Sequence, residues 1–520
     1  MSAASLRADD PRSAIARAAR VRSAIIARPL GLALVVTALV TVLRLTGTVD
    51  SDVAWQLWIA HRIHAGAQLY RDIVEVNPPL WFWMALPIDR AATLFHLRAE
   101  SVLIAVFGGL AALSLAATNR LIADLMPPRR AQLLGYAALT LAAMPWMHVG
   151  QREQIVLIVT LPYAAMMAAR REGRPISPIL AAAIGAGAAI GFALKHYFLV
   201  VPLLFELWLL AGQRRQWRSL RPETLAIAAI GFAYIAAILL WVPTFLTDTV
   251  PLVLLAYGVT GAPTFWHLLG PVALTGLVTL AFVGFHARRR AADPAPLTMA
   301  FAVAAFGFTV VYFLQSKGWL YHAIPLAGFA SIALAALLAE TANPSPLLRI
   351  LSPALLSMPL LLAADEARHP LHPNPDLIAA VSGMHPNDTV GFLTVEAAIP
   401  WSIALQRDLH YPSRYISFWM LNAVLINEDL GNPEPRLAAL GQQVVSETVG
   451  DFRCDSPRRI IVARPRQGEP GFDILAFFLR DPQFAQLMSH YRLRSRTSLE
   501  TYDLVSPLPA PAPSSCRVGV

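Results

Sequence analysis

The chain has 520 residues, 56% of them hydrophobic and 14% charged, with a mean hydropathy of +0.52. Soluble domains carry about a quarter charged residues, so the composition excludes a soluble enzyme and describes an integral membrane protein. The net charge of +9 does not point to nucleic acid, because the arginines stand in short clusters between apolar stretches, the pattern of cytoplasmic loops.

The first segment, 1–24, carries Arg7, Arg12, Arg17, Arg20 and Arg22 and reads as a basic cytoplasmic tail. An apolar run from Ile25 to Leu45 follows, close to the roughly 20 residues that a bilayer needs. It is longer than a signal-peptide core and is expected to stay as the first span. Further apolar segments lie at about 99–123, 131–147, 154–169, 177–194, 197–212, 224–246, 268–286, 296–314, 323–340 and 347–363. That makes eleven spans within a transmembrane domain of 25–364. With the tail inside, the arginine loops at Arg129, Arg170–Arg174, Arg214–Arg221 and Arg288–Arg290 fall inside. The loops holding Asp52, Glu153, Lys195 and Lys317 fall outside.

From about Asp365 charges and prolines return, and the rest of the chain, 365–520, reads as a soluble α/β domain outside the membrane. TVGFLTVE and RRIIVARP read as strands, GFDILAFFLRDPQFAQLMSHY as a helix and YRLRSRTSLETYDLVS as a further strand. Cys454 and Cys516 are the only cysteines, and in an oxidising compartment they are expected to pair.

The polar residues that break the apolar pattern all fall on the outer side. The first outer loop, 47–98, holds Asp50, Asp52, Tyr70, Asp72 and Glu75, then Asn77-Pro78-Pro79 and the aromatic trio Trp81, Phe82 and Trp83. Later outer loops hold His148, Arg152 and Glu153, then Lys195 and His196, then Lys317, Tyr321 and His322. Of 42 basic residues only Lys195 and Lys317 are lysines, which suggests positions where a compact ammonium does what a guanidinium cannot. Each residue alone has a plain explanation, such as capping for Asp50, interfacial snorkelling for the lysines or a structural pair for Arg152 and Glu153. Together they form a carboxylate wall and a cationic wall at one membrane surface. That suits deprotonation of a hydroxyl by a carboxylate while a cation stabilises a departing phosphate.

The run from Asp52 through Gly66, Leu69-Tyr70-Arg71-Asp72, Glu75 and Asn77-Pro78-Pro79-Leu80 resembles the first outer loop of GT-C glycosyltransferases. In particular it is similar to bacterial relatives of protein O-mannosyltransferases and the lipid A aminoarabinose transferase. GQREQ, ALKHYFLVVPLL and SKGWLYHAIPL add to the likeness. The resemblance implies a GT-C-like polytopic helical fold with an outer α/β domain, and transfer of a sugar from a polyprenyl-phosphate donor to an envelope lipid, glycan or protein at the bacterial inner membrane. It places the catalytic acid on Asp52, with Asp50 as the fallback. Donor phosphate contacts then fall to Lys195, Arg152, Lys317, His196 and His322. Tyr70, Asp72, Glu75, Glu153 and Tyr321 hold the loop, sugar or acceptor. Relatives often carry Lys-Pro-Pro where this chain has Asn77-Pro78-Pro79, so one expected cation is absent. The alternative of a transporter or flippase of lipid-linked sugars lacks an internal repeat and mid-span acids to support it. No metal-ligand motif is present. His61 and His64 with the loop acids are the one alternative cluster, and Mg²⁺ or Mn²⁺ on carboxylates would suit it better than zinc.

Overall fold

The computed structural model describes residues 28–213, 217–259, 265–289, 295–368, 375–401, 403–428, 430, 433–463, 472–509 and 516. The basic tail at 1–24 lies outside them. Helix α1 (Pro29–Arg44) starts with proline in its first turn, where a missing N–H is tolerated. The first outer loop then supplies α2 (Ser51–His64) and α3 (Leu80–Phe95). The bundle continues with α4 (Ala99–Leu121), α5 (Pro127–Ala142), α6 (Arg152–Arg171), α7 (Pro178–Ala193), α8 (Val200–Gln213), α9 (Pro222–Trp241), α10 (Val250–Val259), α11 (Pro271–Arg289), α12 (Pro296–Gln315), α13 (Leu320–Glu340) and α14 (Pro346–Arg368).

Each of the eleven apolar segments expected from the sequence contains a helix. Among the described residues, seven helices are long and apolar enough to cross a membrane: Ala99–Leu121, His196–Gln213, Pro222–Trp241, Pro271–Arg289, Pro296–Gln315, Leu320–Glu340 and Pro346–Arg368. The α1 and α7 helices are apolar but shorter. Leu225, Phe232, Ile235, Leu239 and Leu240 of α9 are all exposed, an apolar surface that water would not tolerate at this extent and lipid would.

Two helices make the centre of the bundle. Nearly every residue of α6 and of α13 is buried, as expected for α13, which is apolar all round, and for the apolar middle of α6 between its charged ends. Pro162 and Pro325 sit inside them and are tolerated because neighbouring helices enclose the freed backbone groups. Both helices start at the same end of the bundle, with Arg152 and Tyr321 in their first turns. The site is built there.

The C-terminal domain starts after α14, which runs on to Arg368, three residues past the boundary expected at 365. It contains α15 (Pro375–Ala380), β1 (Val390–Leu393), α16 (Ala398–Trp401), α17 (Leu421–Glu428), α18 (Pro435–Cys454), β2 (Arg459–Ala463), α19 (Ile474–Phe478), α20 (Pro482–Met488), β3 (Tyr491–Arg496) and β4 (Leu499–Leu504). The sheet order is β1-β2-β4-β3, with β1 and β2 parallel and the other pairs antiparallel. The long helical crossover that a parallel pair requires is supplied by α16 to α18. Two sequence expectations change here. The stretch 491–506 is a hairpin rather than one strand, turning at Thr497 and Ser498. The helix expected over 471–491 is broken in two, because Pro482 cannot continue a helix and Asp481 caps the second piece, accepting from Gln483 N (2.8 Å) and Phe484 N (3.1 Å).

Cys454, at the end of α18, is disulfide-bonded to Cys516, 62 residues later, a closure worth about 4 kcal/mol in the loop-entropy account. The domain is joined to the bundle by aromatic packing. Trp55 and Trp58 of α2 stack at 4.7 Å between ring centroids, and Trp401 lies 4.9 Å from Trp55 and 5.3 Å from Trp58. Such pairs contribute roughly 0.5–1.5 kcal/mol each beyond their burial. The backbone joins as well: Val74 N of the first outer loop donates to Arg414 O at 2.8 Å, a single parallel bridge with the C-terminal domain.

Candidate active site

Three helix N-termini meet at the top of the bundle. The chain enters α2 with Asp50 as N-cap, its Oδ1 accepting from Val53 N at 3.0 Å. Asp52 lies in the first turn of α2, Arg152 is the first residue of α6, and Tyr321 is the second residue of α13. Each N-terminus presents unpaired N–H groups and a partial positive charge, so the place favours anions before any side chain is counted. The approach of α2 to α6 is tight at Gly150 (φ +95°). A Cβ there would lie 2.7 Å from Leu103 Cδ2 and 2.9 Å from Val53 Cγ1, and the left-handed backbone also favours glycine. Trp81 Nε1 donates to Gly150 O at 3.0 Å and ties α3 to the same turn.

Asp52 opens on a cavity of about 380 Å³ that is also lined by Trp55, Glu75, Asn77, Arg152, Tyr257, Trp319, Ser417, Trp419 and Asn422. Tyr321 Oη donates to Asp52 Oδ2 at 3.1 Å. Burial and the neighbouring charge of Asp50 raise the Asp52 pKa above the ordinary carboxylate value, opposed by Arg152 and by hydrogen bonds from Tyr321 and Gln151. Asp50 is placed differently. Beyond its capping bond it accepts from Gln151 Nε2 at 3.1 and 2.9 Å and faces His148 Nδ1 at 3.1 Å. Its oxygens are engaged, and it does not line the cavity.

Glu75 is fully enclosed. One oxygen accepts from Asn77 N (2.7 Å) and Asn77 Nδ2 (2.6 Å), and the other from Trp55 Nε1 (2.5 Å). Burial raises its pKa against those hydrogen bonds. Arg152 donates to Asn77 Oδ1, so a cation does reach the Asn77-Pro78-Pro79 turn, carried on α6 and not within the loop. Tyr70 pins the turn from the other side: its φ is +67°, its N–H donates to Ile73 O at 3.0 Å and its hydroxyl to Asn77 O at 2.5 Å. A bulky residue in this backbone region is held by its surroundings. Asp72 accepts from Gln68 N at 2.7 Å and lines a second cavity, about 640 Å³, with Tyr70, Asp248, Arg414 and Glu447. Val74 belongs to the walls of both cavities.

The cations read from the sequence divide into three groups. Arg152 faces the main cavity. Lys195 Nζ is bound to Glu153 Oε1 at 2.5 Å and Gln315 Oε1 at 2.9 Å and lies 3.1 Å from His322 Nε2, forming a buried cluster behind the cavity wall. Lys317 has no carboxylate partner among the described residues, and its ammonium lies 3.9 Å from the centroid of the Tyr257 ring, which itself stacks on Trp419 at 5.0 Å. Positive φ angles at Ser316 (+47°) and Gly318 (+68°) turn the chain sharply on both sides of it. His196 is exposed against Tyr197 and joins none of these groups.

Among the described residues no group of three or more His, Cys, Asp or Glu is arranged to hold a metal ion. His61 and His64 instead share one carboxylate: their Nδ1 atoms lie 3.2 and 2.9 Å from the two oxygens of Asp89. Sequence reasoning missed Gln151, Tyr257, Trp319 and the C-terminal trio Ser417, Trp419 and Asn422. It also missed Glu366, on the last turns of α14, whose Oε1 lies 2.9 Å from His148 Nε2. Gln151 and Trp319 lay inside the quoted stretches GQREQ and SKGWLYHAIPL, and Glu366 was visible as an acid closing the final apolar run.

No protein-family model matches the chain, and no curated protein does. Among solved structures it is similar to ArnT from Cupriavidus metallidurans bound to undecaprenyl phosphate, with a TM-score of 0.55 at 13% identity over 93% of this chain and 98% of that one. The apo form of that protein gives 0.49 at 14% identity over 94% and 98%. An Archaeoglobus fulgidus oligosaccharyltransferase complexed with zinc and sulfate gives 0.46 at 11% identity over 88% and 71%. The chain thus shares the fold of ArnT over nearly its whole length.

Proposed function

We propose that the protein is a membrane glycosyltransferase that moves a sugar from a polyprenyl-phosphate donor to an envelope acceptor at the outer face of a bacterial inner membrane. The observation that carries this reading is Asp52: a half-buried carboxylate at a helix N-terminus, facing a cavity that Arg152 also lines. The acceptor hydroxyl gives its proton to Asp52 as its oxygen attacks the anomeric carbon. The bond from that carbon to the phosphate oxygen breaks, and polyprenyl phosphate leaves with the electron pair. One displacement inverts the anomeric centre. A raised pKa brings Asp52 closer to the operating pH and makes it the better base. Arg152 and the converging helix N-termini stabilise the phosphate as its charge develops. The solved relative in complex with undecaprenyl phosphate supports a lipid donor of this class. Trp319 and Trp419 offer faces for a sugar ring, and the exposed Asn422 offers hydrogen bonds.

Arg152→Ala is expected to weaken binding of undecaprenyl phosphate about 10- to 100-fold, the value of a charge-assisted pair in a water-poor site. Titration of the purified protein in nanodiscs measures it. Unchanged affinity would move the phosphate to Lys317 or to the Lys195–His322 cluster.

The proposed topology has eleven spans, the N-terminus inside and the C-terminal domain outside. The disulfide supports it, since such bonds persist in oxidising compartments. In intact cells treated with alkylating reagent and no reductant, Cys454 and Cys516 are expected to stay unlabelled, and both should label after reduction. Labelling without reductant would put the domain on the reducing side and reverse every site assignment.

A further inference from the structure

Both ring nitrogens of His148 face carboxylates: Nδ1 lies 3.1 Å from Asp50 Oδ2 and Nε2 lies 2.9 Å from Glu366 Oε1. A neutral imidazole has one N–H and one lone pair, so one of those carboxylates would meet a lone pair. The imidazolium donates to both. The three residues come from remote parts of the chain: the cap of α2, the turn before α6, and the end of α14. The imidazole ring lies 5.4 Å from the Tyr321 ring, and Tyr321 in turn holds Asp52 through its hydroxyl. His148 therefore reaches Asp52 along two routes, through the helix cap and through the tyrosine, while it does not itself line the cavity.

We infer that His148 is a positioning residue for the transfer: as an imidazolium clamped between Asp50 and Glu366, it fixes the start of α2, and with it Asp52, against the end of the helix that leads into the C-terminal domain. This rests on the glycosyl-transfer reading above. The groups around the ring are Asp50 from α2, Glu366 from α14 and Tyr321 from α13, with Asp52 and Arg152 close behind them. Burial opposes charging of the imidazole, yet the hydrogen bonds and charges of Asp50 and Glu366 raise its pKa to about 9. A histidine pKa raised on folding contributes stability that is complete below about 6.5, the unfolded value, and that is lost as pH rises through about 9. The clamp also offsets the charge of Asp50, one of the groups that raise the Asp52 pKa.

The test follows unfolding temperature and sugar transfer from about pH 6 to pH 10 for wild type, His148→Ala and Glu366→Gln in detergent. In wild type, the unfolding temperature should decline from about pH 6.5 and level off near pH 9, where kcat falls. Glu366→Gln leaves one carboxylate partner and should move the end of the unfolding-temperature decline and the fall in kcat to lower pH by about one unit. His148→Ala should lack both falls and lower kcat about tenfold or more, with the donor KM little changed, because a misplaced base slows chemistry more than binding. Glu366→Gln curves that overlie wild type, or His148→Ala with wild-type kcat, would overturn the inference. The unfolding curves need no substrate. Wild type whose unfolding temperature declines from about pH 6.5 to about pH 9 yet transfers no sugar overturns the glycosyl-transfer reading and leaves the clamp standing.

Discussion

Asp52→Asn should fold, bind lipid phosphate and transfer sugar slower by about 10² to 10⁴. The amide keeps the size of the carboxylate and can still accept from Tyr321, but it cannot take a proton. Its effect on stability should have the opposite sign. Burial and Asp50 raise the Asp52 pKa, so the contribution of this group to stability is greatest where it is protonated and declines as pH rises through the raised value. At neutral pH the carboxylate weakens the fold, and the Asp52→Asn variant should melt no lower than wild type. Activity falls while the unfolding temperature holds or rises, a combination that a packing defect does not produce. The acid limb of the wild-type rate profile should belong to the same group and lie above the ordinary carboxylate range. Analysis of envelope lipids and glycans by mass spectrometry, in cells with wild-type or variant protein, measures the loss. Normal transfer by Asp52→Asn removes the proposed base. If Asp50→Asn is then the dead variant, the role passes to Asp50.

Lys195→Ala should unfold the bundle before it tests anything about the donor. Glu153 is buried, and its Oε1 has Lys195 at 2.5 Å and His322 at 3.5 Å, while its Oε2 has no hydrogen-bond partner among the described residues. Removing the ammonium strands that carboxylate, a loss of about 3–5 kcal/mol for a buried pair deprived of one member. The paired change Lys195→Met with Glu153→Gln removes both charges and should recover most of the stability, because a buried pair and its neutral replacement are often close in energy. Thermal unfolding reads the first effect and undecaprenyl phosphate titration of the double variant reads the second. Wild-type stability in Lys195→Ala would mean that the lysine is free to meet a ligand. Lost lipid binding in a stable double variant would place it on the phosphate.

Much of the site could be read from the sequence because its residues break a strong pattern. Asp52, Glu75, Arg152 and Tyr321 stand out where apolar runs end, and charges at such places are rarely idle. What could not be read is which charges answer one another. Lys195 and Glu153 are 42 residues apart and His148 and Glu366 are 218 apart, and nothing in local periodicity links them. Asp50 shows the same limit at short range. It is two residues from Asp52 and chemically identical, yet the start of α2 makes one a cap and leaves the other facing the cavity. In the C-terminal domain the strands at Val390–Leu393 and Arg459–Ala463 were legible because they are continuous buried runs. The residues that roof the cavity were not, since Ser417, Trp419 and Asn422 lie in a segment with no regular alternation.

Six residues lining the main cavity, Val395, Ala397, Ile416, Ser417, Trp419 and Asn422, belong to the C-terminal domain, and Val74 is stitched to that domain by a backbone hydrogen bond. The two halves of the protein are therefore not interchangeable modules. A chimera that borrowed its outer domain from a distant relative would inherit a foreign ceiling over its own Asp52, with the stitch at Val74 as the seam to be matched. The shape of the cavity is open to small substitutions along that seam. Wholesale exchange of parts is not.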